Sequence, residues 1–139
     1  MKKLLGLAVT LFLAASVFAG DDAKKPVVPN ITVPDITISE LKEAIASGKV
    51  TLLDANGTES WQKGHIPGAI NFRTSADKLT SLLPADKGAL VVAYCGNPKC
   101  VAYKSAAKAA KDLGYTNIKH LPAGIQGWVK AGEPTEKGS

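Results

Sequence analysis

The run Leu90-Val-Val-Ala-Tyr94 is apolar at every position, so as a strand it offers no polar side to water. A strand of this kind belongs inside a parallel sheet covered by helices on both faces. The rest of the chain agrees with that demand. Val50 to Asn56 (VTLLDAN) reads as a second short buried strand ending at Asp54, and AINF (69–72) and TNIKHL (116–121) read as two more. Helical stretches separate them. ISELKEAIASGK has Ser39 as N-cap, Leu41, Ala44 and Ile45 at helical spacing, and Gly48 as its stop. Thr58 to Lys63, Ala76 to Leu83 (ended by Pro84), Val101 to Leu113 (stopped by Gly114) and Ile125 to Ala131 (carrying Trp128) complete the set. Strands alternating with helices predict an α/β fold around a parallel sheet, with no internal repeat.

The chain opens MKKLLGLAVTLFLAASVFAG: two lysines, an apolar run, then small residues at Val17 and Ala19. This predicts a signal peptide over 1–19, cleaved after Ala19, rather than a retained anchor, since a span needs about 20 apolar residues. Export to the periplasm follows, with no membrane attachment after cleavage. Residues 20–34 carry three prolines without apolar periodicity and are expected to be an extended or mobile lead-in. Residues 35–135 then form one domain, with 136–139 as a tail. Without Lys2 and Lys3, 15 basic residues face 12 acidic ones, a net charge of +3. The lysines are scattered and Arg73 is the only arginine, which argues against nucleic acid and fits a small anionic substrate.

Cys95 and Cys100 are the only cysteines. In an exported protein a pair ordinarily suggests a disulfide. Their setting suggests something more, because ligands of open α/β sheets bind beyond the carboxyl ends of the strands, where Cys95 and Asp54 both fall. Between strand and helix lies Cys-Gly-Asn-Pro-Lys-Cys, residue types that permit a tight loop of inward amides. Such a loop with a helix N-terminus lowers a thiol's pKa and holds an anion.

Three further stretches carry a resemblance. LLDANGTESWQKGHIPGAINF (52–72), LVVAYC (90–95) and LGYTNIKHLPAGIQGWVKAGEP (113–134) resemble, in order, the signatures of rhodanese-like sulfurtransferase domains. The resemblance implies a three-layer α/β sandwich with a central five-stranded parallel sheet and a catalytic cysteine, matched by Cys95. It implies transferase chemistry through a Cys95 persulfide, from an anionic donor such as thiosulfate or polysulfide to a thiol or cyanide-like acceptor, without metal or organic cofactor. The substrate loop is Gly96, Asn97, Pro98, Lys99 and Cys100, with the amides of Gly96, Asn97, Lys99 and Cys100 cradling the sulfur and Lys99 drawing in the donor. Asp54 and His65 stand as supporting residues, His65 in a structural hydrogen bond. The sequence departs from the pattern at Asn56, where an arginine often stands, at Ala123, in place of the first glycine of a pair, and in a loop without the usual glycine and arginine.

Other readings remain. Cys100 is a bystander, a reversible disulfide partner, or a resolving thiol that releases sulfide from the persulfide. The whole protein is alternatively a non-catalytic binding module with a Cys95–Cys100 disulfide, or a thiol redox protein. A zinc site from the cysteines, His65 and His120 lacks a close-paired ligand spacing. Phosphatase chemistry would want an arginine where Val101 stands.

Overall fold

The computed structural model describes residues 27–139. The signal-peptide reading of 1–19 lies outside them. Among the described residues no helix is long and apolar enough to cross a membrane. Four strands form one parallel sheet: β1 (Val50–Asp54), β2 (Ile70–Asn71), β3 (Leu90–Tyr94) and β4 (Ile118–His120), in the order β2-β1-β3-β4. The helices are α1 (Ile38–Ala46), α2 (Thr58–Lys63), α3 (Phe72–Ser75), α4 (Leu79–Leu82), α5 (Tyr103–Asp112) and α6 (Gly124–Lys130).

The apolar strands do what their composition requires. Leu53, Val91 and Ala93 point into one core with Leu79 and the small side chains Ala106, Ala107 and Ala110 of α5. Leu52, Val92 and Tyr94 point the other way, into a second core with Leu41, Ile66, Leu121 and Trp128. The alanines of α5 let the helix lie close on the sheet, while Lys108 and Lys111 stay exposed.

Several expectations are corrected. The sheet has four strands, not five; the fifth is reduced to a single parallel bridge between Asp35 and His120. Its two hydrogen bonds, Ile36 N–H to His120 O (2.8 Å) and His120 N–H to Pro34 O (2.9 Å), flank Asp35, and Pro34 has no N–H to extend the ladder. The N-cap of α1 is Thr37 rather than Ser39, in a reciprocal capping box with Glu40. The helix expected over Ala76–Leu83 is broken into a 3-10 turn at Ala76–Lys78 and the short α4. Leu83 turns extended (ψ 151°), as a residue before proline must. Ile31 is buried, and Glu136 pairs with His65 through an antiparallel bridge.

Candidate functional site

The strand order places the topological switch between β1 and β3, where the chain leaves β1 for one side of the sheet and later returns on the other. The two strands end level. Asp54 faces Tyr94 in register, and Ala55 N–H donates to Tyr94 O (2.9 Å). The next residue of β3's line is Cys95. Alternation from Val91 and Ala93 turns its side chain toward α5, and it is 1% exposed.

The loop beyond it is held from two sides. From within, Asn97 Oδ1 accepts the Lys99 N–H (2.9 Å) and Asn97 O accepts the Cys100 N–H (3.0 Å). These two turns share one residue, with Pro98 setting the backbone between them. From outside, the Ile125 and Gln126 N–H groups at the start of α6 donate to Cys95 O (2.9 Å) and Gly96 O (3.0 Å). That contact requires Gly124. Its φ is +62°, and a Cβ there would fall 2.5 Å from the Gly96 carbonyl carbon and 2.7 Å from Asn97 N. The one sequence signal for Gly124 is its place beside Ala123, within the stretch 113–134 that carries the third signature.

Cys95 and Cys100 are joined by a disulfide, with Cα atoms 6.2 Å apart. In this oxidised loop the expected four-amide cradle is half assembled. The Lys99 and Cys100 amides are bound by Asn97, whereas those of Gly96 and Asn97 have no such partner among the described residues. Lys99 and Pro98 are exposed. Beside Gly96 lies the side chain of Asn56, whose Nδ2 is the one buried side-chain polar atom without a hydrogen-bond partner among the described residues. A buried donor left unmade costs about 1–3 kcal/mol, so its presence here is notable. A cleft of about 430 Å³ opens at the same edge, lined by Ala55, Phe72, Val101, Ser105 and the lone arginine, Arg73. No sequence signal singled out Arg73 for this position.

Asp54 and His65 lie on the opposite face. Tyr94 Oη donates to Asp54 Oδ2 (2.7 Å) and accepts from Ile66 N–H (3.1 Å), while Asp54 Oδ1 accepts from Asn56 N–H (2.7 Å). Burial pushes the Asp54 carboxyl above its ordinary range against the pull of these hydrogen bonds. Burial, with the Asp54 carboxylate beside it, pushes the Tyr94 hydroxyl far up, so it stays protonated and donates. The His65 ring stacks on Trp61 at 3.4 Å, with Nδ1 3.0 Å from Trp61 O and Nε2 3.2 Å from Glu136 Oε1. The same carboxylate oxygen accepts from Gly68 N–H (2.9 Å) and is held below its ordinary range chiefly by that bond. His120 is buried, stacked on Tyr103 at 3.4 Å with Nδ1 3.2 Å from Asp35 Oδ1, and burial holds its pKa down.

A cysteine loop at the switch point of a helix-covered parallel sheet defines the class. The chain belongs to the rhodanese-like domain family, whose model matches residues 37–131. It is 40% identical over 106 residues to an HTH-type transcriptional regulator of Mycobacterium tuberculosis, spanning 75% of this chain but only 45% of the regulator. It is 29% identical over 110 residues to the thiosulfate:glutathione sulfurtransferase of Homo sapiens, covering 70% of this chain and 94% of that protein. The crystal structure of a thiosulfate sulfurtransferase from Pseudomonas aeruginosa superposes with a TM-score of 0.65 at 25% identity, over 79% of this chain and 20% of that one.

Proposed function

We propose that the protein is an exported, periplasmic sulfurtransferase that carries a sulfane sulfur on Cys95. In its reduced form the Cys95 thiolate attacks the outer sulfur of thiosulfate or polysulfide, sulfite or a shorter polysulfide leaves, and the resulting persulfide passes its sulfur to a thiol or cyanide-like acceptor. The observation that supports this best is the position of Cys95, buried at the switch point with its own carbonyl and the next one fixed by α6. The free amides of Gly96 and Asn97 suit the anionic sulfur. The unpartnered Asn56 Nδ2 supplies a further donor for it, where the family often has an arginine. Arg73 gives the adjoining cleft a cation for an anionic donor or acceptor.

The intact mass of reduced protein after incubation with thiosulfate or polysulfide tests this. Cys100→Ser, which keeps any sulfur it receives, should gain one cyanide-labile sulfur atom and Cys95→Ser none; a Cys100→Ser protein that gains sulfur from neither donor, with no sulfide released by wild type, refutes the proposal. Asn56→Ala should raise the KM for thiosulfate several-fold.

The disulfide favours a second reading, a binding module locked by oxidation. Thiol titration of the exported protein separates the two. A bond that survives mild dithiol treatment of the folded protein supports the locked module.

A further inference from the structure

The sulfur atom bonded to Cys95 Sγ in this structure belongs to Cys100. In a persulfide that bonding position is held by the transferred sulfur. A thiol that forms this bond within a folded loop also reaches the inner sulfur of a Cys95 persulfide. The loop's internal hydrogen bonds through Asn97, and its bracing by α6, are all in place with the bond closed. Closing it therefore leaves the anchored backbone of the loop hydrogen-bonded.

We propose, building on the sulfurtransferase reading, that Cys100 is a resolving thiol and that the protein reduces sulfane sulfur to sulfide. The Cys100 thiolate attacks Cys95 Sγ of the protonated persulfide. The Cys95–Cys100 bond forms as the bond to the outer sulfur breaks, and that sulfur leaves with the electron pair and its proton as hydrosulfide. The two cysteines lose two electrons and the sulfane sulfur gains them. A small dithiol reductant then regenerates the pair. It attacks the more exposed sulfur, Cys100, and expels the buried Cys95 as the thiolate that the next cycle needs.

The reaction thus branches at the persulfide. An acceptor that arrives first receives the sulfur, and without one the loop discharges it as sulfide. Intramolecular placement favours the second route over attack by dilute external thiols. The oxidised loop seen here is then the product state of that route, and it holds Cys95 inactive until reduced.

The test uses reduced protein freed of reductant and mixed with thiosulfate, following trapped sulfide and intact mass together for wild type, Cys100→Ser and Cys95→Ser. Wild type should release sulfide and finish lighter by two hydrogens, without retained sulfur. Cys100→Ser should keep the added sulfur, release sulfide about 100-fold more slowly, and still yield thiocyanate with cyanide. The wild-type mass decides the matter even if the variant folds poorly. Wild type that keeps the sulfur, or releases sulfide with both thiols still titratable, overturns the role of Cys100 while leaving sulfur transfer standing. Failure of every form to take up sulfur sinks the sulfurtransferase reading and this inference together.

Discussion

Two polar clusters sit side by side at the carboxyl ends of β1 and β3, one on each face of the sheet, and they use their groups in opposite ways. On the α1 and α6 face, Asp54, Tyr94, Ile66 and Asn56 close a circuit in which each carboxylate oxygen and the tyrosine hydroxyl has a partner. On the α5 face, the cysteine loop keeps two amides and the Asn56 Nδ2 unpartnered among the described residues and joins its two thiols to each other. Spent hydrogen bonds make a brace, whereas spare ones beside a sulfur pair make a place for chemistry. One residue of offset along each strand separates the two, since Tyr94 and Cys95 point to opposite faces.

The largest effect expected from breaking this contrast comes from Gly124→Ala, which alters neither cluster's own side chains. The left-handed backbone and the 2.5 Å approach to Gly96 both oppose a Cβ. The protein should lose about 3 kcal/mol of stability in denaturant unfolding and most of its sulfur transfer, because the loop shifts off its anchor. A stable, fully active Gly124→Ala would show that α6 does not set the loop.

Tyr94→Phe probes the other cluster. It removes one donor from a buried carboxylate and the acceptor of Ile66 N–H, at about 2 kcal/mol, while sulfur transfer per folded molecule stays near wild type. The pH dependence carries a sign. Because burial raises the Asp54 pKa, this group's contribution is fully present below its ordinary value of 3.8 and is lost as pH rises through the folded value. The cost of Tyr94→Phe should therefore shrink on acidification, as Asp54 is protonated and no longer needs the second donor.

The smallest effect is at His120, near neither cluster's chemistry. Its lowered pKa gives a contribution present above the ordinary 6.5 and lost as pH falls through the folded value. His120→Phe keeps the stack on Tyr103 and should flatten the first acid limb of thermal unfolding. Glu40 and Glu136, whose pKa values are lowered by hydrogen bonds, contribute above 4.5 and lose that contribution only below it, so a second limb should remain.

The strands were legible because β1 and β3 are apolar on both sides, and their carboxyl ends brought Asp54 and Cys95 to one edge. The fifth strand was not, because a single bridge at Asp35 beside a proline leaves no periodicity to read. Ser39 drew the helix start away from Thr37, although Thr-Ile-Ser-Glu is itself a capping-box pattern. Gly124 and Arg73 escaped for a different reason. Gly124 matters through Gly96 and Arg73 through a cleft it lines together with Val101, both distant in sequence, and no local pattern encodes such a juxtaposition.

The central claim is that the sulfur is carried on Cys95 and not on Cys100. Lys99 allows it to be tested directly, since trypsin cleavage after Lys87, Lys99 and Lys104 puts the two cysteines in separate peptides. Reduced Cys100→Ser protein loaded with thiosulfate or polysulfide, alkylated and digested, should show the added sulfur on residues 88–99, and Cys95→Ser protein should show none on 100–104. Sulfur found on the Cys100 peptide of Cys95→Ser, with none on the Cys95 peptide of Cys100→Ser, would contradict the account.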